Sequence, residues 1–133
     1  MAYYIFTRKI LAGEPIPVFN NGEMRRDFTY IDDIVSGVLA CLEKPPADND
    51  NPPCRLYNIG NNKTETLMDF IAEIEKALGK KAEIDFKPMQ AGDVKETFAD
   101  IDGMRNDFGF SPSTGIDVGI PRFVNWYKTF HGL

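Results

Sequence analysis

Apolar residues at helical spacing alternate with short β-prone segments along the chain, and this alternation limits the possible folds more than any other feature. Helical stripes cover residues 2–11, 31–42, 67–78, 102–108 and 116–127. Extended or β-prone segments separate them at residues 15–19, 28–30, 55–60, 82–86 and 95–99. Interleaved helices and strands predict an α/β fold, or α+β for the chain in isolation. A length of 133 residues allows one domain, which we place at residues 1–133.

Residue types that favour helix ends or loops mark several boundaries. Residues 66–69 and 114–117 both match a capping box, so we expect the threonine of each to cap the helix that follows. Pro121 lies inside the last helical stripe, where we expect it to kink or restart the helix. Residues 47–53 are rich in Asp, Asn and Pro and predict a solvated loop, the best candidate for mobility.

Composition argues against several classes of function. The net charge is −5 and no basic stripe is present, which argues against a nucleic-acid partner. No apolar run approaches the roughly 20 residues that span a bilayer, and residues 1–6 do not read as a signal peptide, so we expect a cytoplasmic protein. Cys41, Cys54 and His131 have no metal-ligand spacing, so we expect reduced thiols and no metal site.

Two adjacent arginines, Arg25 and Arg26, precede the helical stripe that starts near residue 31. A guanidinium binds phosphate through paired charge-assisted hydrogen bonds, and the amides at a helix start add positive potential. These residues therefore predict a diphosphate site. The alternative is a surface salt bridge to a neighbour such as Glu23 or Asp27, and the residues alone leave it open.

The segment Arg25-Arg26-Asp27-Phe28-Thr29-Tyr30-Ile31-Asp32-Asp33 resembles the phosphate-binding motif of the extended short-chain dehydrogenases that act on nucleotide sugars. Two further segments follow the order seen in that family, Pro-Val-Phe at residues 17–19 and Gly-Asp-Val at residues 92–94. Residues 89–94 are similar to the version in UDP-glucuronate 4-epimerases. With residues 98–100 and 123–127, the likeness covers essentially the whole chain as the C-terminal, substrate-binding region of such an enzyme, lacking the N-terminal Rossmann core.

The resemblance implies that five residues bind the UDP moiety. Arg26 would contact the diphosphate, while Val18 and Phe19 would border the base. Asp93 would lie near the ribose and, with Gln90, would line the opposite side of the site. Many relatives carry a second phosphate-binding arginine where Gln90 stands, so this site has one positive charge fewer. Without the resemblance, Phe19 could equally be a buried edge-strand aromatic, and Asp93 part of a turn.

Two parts of the family's catalytic machinery are absent from this sequence. No glycines form the G-x-G-x-x-G or G-x-x-G-x-x-G turn that approaches a dinucleotide pyrophosphate. No tyrosine is followed four residues later by the lysine that would activate it for proton transfer. We therefore expect neither catalytic nor cofactor-binding residues in this chain, and NAD would belong to the parent enzyme.

These observations predict the substrate-binding part of an NAD-dependent nucleotide-sugar 4-epimerase of the UDP-glucuronate and UDP-galacturonate type. It would bind the UDP moiety and be inactive alone, and the parent would be a homodimer completed by the missing Rossmann domain. One alternative is part of a sugar-nucleotide 4,6-dehydratase or decarboxylase. Another is a noncatalytic UDP-sugar-binding module. A third is an isolated folding unit without ligand affinity, which predicts exposed apolar faces around residues 55–60.

Overall fold

A computed structural model describes residues 1–46 and 54–133, so the loop expected at residues 47–53 lies outside the described residues. Helices and short strands alternate along these ranges, which confirms the predicted mixed fold class. In chain order the elements are α1 Ala2–Ala12, β1 Ile16–Val18, a 3₁₀ turn Phe19–Gly22, β2 Arg25–Asp27, α2 Ile31–Glu43, β3 Thr64–Thr66, α3 Leu67–Leu78, β4 Ile84–Phe86, α4 Asp102–Phe108 and α5 Ile116–His131.

The strands form two small sheets. β1 pairs in parallel with β4, and Val18 lies opposite Phe86. β2 pairs antiparallel with β3, and Arg25 lies opposite Thr66. A single parallel bridge also joins Arg25 to Glu96. As a result, β2 is paired with two segments that lie far from it in the sequence, β3 and the residues around Glu96.

The main hydrophobic core lies between α1, α3, α5 and strand β1. The predicted apolar stripes of these three helices supply most of it, because residues three and four apart share one helix face. Phe28 stacks on Phe70 with a ring-centroid distance of 4.1 Å and joins the segment after β2 to this core. The buried members are Phe6, Ile10, Ile16, Val18, Phe70, Ile71, Ile74, Ile120 and Val124.

Three of the predicted strands are wrong in position or absent. The segment predicted at residues 28–30 is not a strand, and the strand lies earlier, at Arg25–Asp27. Residues 55–60 form no strand, and residues 95–99 contribute only the bridge at Glu96. A β-prone segment becomes a strand only where a partner offers its backbone groups, and the local sequence does not reveal that partner.

The apolar stripe of α2 lies on the surface. Val35 is 47% exposed and Leu42 is 72% exposed, while Leu56, in the segment that forms no strand, is 96% exposed. In residues 55–60 the apolar exposure is confined to Leu56, because Tyr57 and Ile59 pack against a second buried cluster made of Ile101, Met104 and Phe110. None of the helices in the described ranges is both long enough and apolar enough to cross a membrane.

Of the two predicted helix caps, one is present in the structure and the other is not. Thr66 caps α3 as predicted, since its Oγ1 accepts the Asp69 N–H at 3.0 Å. The prediction for Thr114 is wrong, because α5 starts after Gly115 and has no side-chain cap. A continuous helix also runs through Pro121, so the expected restart does not occur.

Candidate functional site

Arg26 is the centre of the predicted phosphate site, and its side chain is held in a fixed position. Its Nη1 donates to the main-chain carbonyl of Arg25 at 2.8 Å and to that of Lys95 at 3.1 Å. Its Nη2 donates to Asp93 Oδ1 at 2.9 Å. Among the described residues the Arg26 Nε–H has no acceptor. The guanidinium is thus anchored at one end and retains free donor capacity.

Asp93 and Gln90 lie in the exposed turn that follows β4. The Asp93 N–H donates to the Gln90 carbonyl at 3.2 Å, and the Asp93 carboxylate accepts from Arg26 across 67 positions of sequence. Gly92 between them has φ +82°, a conformation that favours glycine. The structure therefore brings Arg26, Asp93 and Gln90 into one surface site.

Val18 and Phe19 lie where β1 gives way to the 3₁₀ turn. Val18 is fully buried in the core, and its carbonyl accepts the Lys87 N–H at 2.8 Å. Phe19 is half-buried. The parallel pairing of β1 with β4 carries both strands in one direction, so Phe19 and the turn that holds Asp93 leave the same end of this sheet. A base-binding role for Val18 and Phe19 stays a prediction.

Arg25, to which the resemblance assigned no contact with the diphosphate, has a different environment. Its guanidinium donates to Thr64 Oγ1 at 2.9 and 3.1 Å and to the Thr64 carbonyl at 3.1 Å, and it pairs with Glu96 at 3.4 Å. Successive residues of a strand point to opposite faces, which explains the contrast with Arg26. Arg25 thus joins β2 to β3.

Asp27 organises the backbone around this site, a role that sequence reasoning missed. Its Oδ1 accepts the Asn61 N–H at 2.9 Å, and its Oδ2 accepts the N–H groups of Asn62 and Ala99 at 3.0 Å each. A side chain at Gly60 would overlap the Cβ of Ala99, so these two segments touch. The carboxylate therefore clamps residues 60–62 and 97–99 onto the end of β2.

Two clefts lie beside the site, but neither Arg26 nor Asp93 lines them. The larger, of about 880 Å³, is bordered mainly by aromatic and aliphatic side chains, among them Tyr3, Phe28 and Trp126. The smaller, of about 490 Å³, is bordered by Asp27, Tyr57 and neighbours of both. The hydrogen bond from Tyr57 to Asp107, 2.6 Å long, raises the pKa of the Tyr57 hydroxyl, which makes it unsuitable as a base near neutral pH.

The described residues contain no glycine-rich strand–turn–helix unit of the kind that binds a dinucleotide. A dinucleotide site needs a parallel strand that passes through a glycine-rich turn into a helix. In the described ranges the parallel pair is β1 with β4, and these strands lead into a 3₁₀ turn and the Asp93 turn instead. The same residues include no group of three metal-ligating side chains.

Comparison with known proteins shows what this chain is similar to. The model of the NAD dependent epimerase/dehydratase family matches residues 2–60, a stretch that includes both Arg26 and Asp27. "Protein CapI" of Staphylococcus aureus is 39% identical over 98% of this chain, and "UDP-glucuronate 4-epimerase 1" of Arabidopsis thaliana is 39% identical over 99% of it. The chain therefore carries a region of the NAD dependent epimerase/dehydratase family at residues 2–60.

Solved structures of the family agree with the fold. UDP-glucuronic acid 4-epimerase from Bacillus cereus, in complex with UDP-glucuronic acid and NAD, superposes with a TM-score of 0.86 at 31% identity over 98% of this chain. The chain covers 40% of that structure, 43% of the Staphylococcus protein and 33% of the Arabidopsis protein. It thus spans less than half the length of these relatives.

Proposed function

We propose that residues 1–133 form the sugar-nucleotide-binding domain of an NAD-dependent nucleotide-sugar 4-epimerase of the UDP-glucuronate and UDP-galacturonate type. The observation that carries this proposal is the anchored guanidinium of Arg26. Two main-chain carbonyls hold its Nη1, and its side chain keeps 23% of its surface exposed. Because its position is fixed before a ligand arrives, little conformational entropy is lost when a diphosphate binds.

The other predicted residues would complete a site for UDP. The base would lie against the backbone at Phe19 and Val18, since the Val18 side chain is itself buried in the core. Asp93 and Gln90 would border the ribose from the turn after β4. The relatives support this ligand, because one of them is named a UDP-glucuronate 4-epimerase and the Bacillus cereus structure holds UDP-glucuronic acid.

The remaining parts of the reaction would come from the rest of the parent enzyme. NAD, when bound there, supplies the hydride chemistry of 4-epimerisation. An N-terminal Rossmann domain would carry the glycine-rich turn and the Tyr-x-x-x-Lys pair, which this sequence lacks. We place the parent in the cytoplasm as a homodimer. This chain would contribute substrate binding and no proton transfer.

Replacing Arg26 with alanine tests the proposal. We expect the dissociation constant for UDP to rise about 10- to 150-fold, because a charge-assisted hydrogen bond contributes about 1.5–3 kcal/mol. Isothermal titration calorimetry with the 133-residue chain measures the change. Arg122→Ala is the matched control, since that arginine is 56% exposed and pairs with Asp32 at 3.5 Å. Equal UDP affinity in the wild type and the Arg26 variant would refute the assignment.

The proposal also predicts that the chain alone does not catalyse epimerisation. Incubation of the chain with NAD and UDP-glucuronate is expected to yield no UDP-galacturonate, because neither the tyrosine–lysine pair nor a dinucleotide turn is present. Anion-exchange chromatography separates substrate from product. Turnover that scales with the concentration of the chain, and persists after repurification, would contradict this part of the proposal.

A further inference from the structure

Helix α2 carries apolar side chains on two sides, and only one of these sides is packed. Its inner side packs on the second buried cluster through Cys41, and a Cβ on Gly37 would meet Ile59 at 3.0 Å. A helix that is apolar all round is normally buried. Its outer side is nevertheless exposed and forms the α2 stripe, whose members are Ile31, Val35, Val38, Leu39 and Leu42.

The segment at residues 56–59 has an unpaired backbone. None of its N–H or C=O groups forms a backbone–backbone hydrogen bond with another described residue, although Tyr57 and Ile59 are of types that favour strands. The segment is nevertheless held in place. These two side chains pack on the second buried cluster, and the Asp27 carboxylate holds the backbone directly after the segment. A fixed row of unpaired backbone groups is a template for pairing with another strand.

We infer that the α2 stripe and the backbone of residues 56–59 together dock the part of the parent enzyme that lies outside this chain. The stripe packs on an apolar face of that domain, and residues 56–59 add a strand to an open edge of its sheet. This inference rests on the proposed function, which assigns NAD to a separate Rossmann domain, and it names the surface on which that domain sits.

The extent and chemistry of the surface favour this occupant. The chain covers 43% of the Staphylococcus protein and 40% of the Bacillus cereus structure, so more than half of each relative is available to cover it. The region that the family model matches, residues 2–60, includes both α2 and residues 56–59. The α2 stripe is uncharged, and Ile31 also lines the larger cleft, so the apolar surface continues there. A domain with a sheet offers both an apolar face and a strand edge.

Co-expression tests the docking surface. The tagged chain is produced together with the part of the Staphylococcus protein that it does not match, and separately with the corresponding part of the Bacillus cereus epimerase. We expect a one-to-one complex with at least one of these two partners. Size-exclusion chromatography with light scattering measures its mass and its dissociation on dilution. Absence of a complex with both partners would overturn the inference.

Val38→Lys is the direct variant, because it places a charge in the middle of the α2 stripe, where the residue is 47% exposed. We expect the complex to dissociate about 10- to 100-fold more readily, since a desolvated central residue dominates an interface. Val118→Lys is the matched control. It makes the same substitution at a valine on α5 that is 41% exposed, and it should leave the complex unchanged. Equal weakening by both variants would overturn the inference.

Two further measurements guard these results. Each variant must keep the circular dichroism spectrum of the wild type, and Val35→Lys, also 47% exposed and in the same stripe, replaces Val38→Lys if that variant does not fold. Light scattering of the chain alone gives its oligomeric state. A homodimer that Val38→Lys converts to monomers would assign the α2 stripe to a second copy of this chain and overturn the inference.

Hydrogen exchange tests the added strand. In the chain alone we expect fast exchange at all four amides of residues 56–59, because none donates to a backbone carbonyl of another described residue. A strand that joins a sheet edge donates through alternate residues. In the complex, exchange should therefore slow about 100-fold at residues 56 and 58 or at 57 and 59. Unchanged exchange at all four amides in the complex would overturn the inference.

Failure of this inference can be told apart from failure of the proposed function, because the docking experiments use no UDP. If UDP binding depends on Arg26 but no complex forms, the inference fails and the assignment of the UDP site stands. If the complex forms and depends on Val38 while Arg26→Ala leaves UDP affinity unchanged, the docking surface stands and the assignment of the UDP site fails.

Discussion

Asp27→Ala is expected to lower the free energy of unfolding by about 3–5 kcal/mol. The substitution removes the acceptor of three backbone N–H groups, those of Asn61, Asn62 and Ala99. A hydrogen bond to a charged group contributes about 1.5–3 kcal/mol, and three that share one carboxylate add to less than their sum. Urea denaturation followed by circular dichroism measures the loss.

Two variants separate the Asp27 clamp from a general effect of charge. Asp27→Asn keeps one acceptor oxygen, so whichever way its amide turns at least one N–H loses its partner, and we expect an intermediate loss of stability. Asp32→Ala removes an exposed carboxylate that pairs with Arg122 at 3.5 Å and, like Asp33, lies in the first turn of α2, so we expect a loss of at most about 1 kcal/mol. If Asp27→Ala were as stable as Asp32→Ala, the clamp would not contribute.

The Asp27 clamp also links stability to the proposed site. Asp27 holds Ala99, and its own N–H donates to Thr97 Oγ1 at 3.2 Å, so it fixes the segment that begins at Lys95. The Lys95 carbonyl is one of the two anchors of Arg26. We therefore expect folded Asp27→Asn to bind UDP more weakly than the wild type, although Asp27 does not touch Arg26.

The helices were predictable from the sequence because their signals are local. The apolar repeat of α3, the Thr66 cap and a left-handed Gly79 all lie within one stretch of chain, and the predicted bounds match Leu67–Leu78. The strands were harder, because pairing is not local. β2 lies at Arg25–Asp27 because Thr64–Thr66 pairs with it, and no local feature of Thr64–Thr66 predicted a strand.

The site shows the same division between local and distant information. Resemblance to the family predicted that Arg26 and Asp93 share a site, and the structure brings them into contact. It predicted neither the anchoring carbonyls of Arg26 nor the clamp by Asp27, whose partners lie 34, 35 and 72 positions away. Those partners are backbone N–H groups, which every residue except proline carries, so no residue type marks them in the sequence.

Asp33→Ala is expected to destabilise the chain by about 2–4 kcal/mol, because Asp33 holds the backbone at the start of α5. The capping box had predicted this role for Thr114. The Asp33 carboxylate is buried, with 7% of the residue exposed, and it accepts the N–H groups of Ser113 and Thr114 at 3.2 and 3.0 Å. It also lies in the first turn of α2, where the helix dipole favours a negative charge. Alanine would leave two N–H groups unpaired just before α5.

Thr114→Ala decides between the two ways of fixing the start of α5. If Asp33 holds this start, loss of the Thr114 hydroxyl changes the free energy of unfolding by less than about 0.5 kcal/mol, since α5 has no side-chain cap. Hydrogen exchange gives an independent measure, because only Asp33→Ala should speed exchange at the amides of Ser113 and Thr114. A larger loss of stability in Thr114→Ala than in Asp33→Ala would support the predicted capping box at Thr114. A larger loss of stability in Asp33→Ala means that the start of α5 is fixed by a carboxylate on α2, which lies 80 positions before Ser113 and 81 before Thr114.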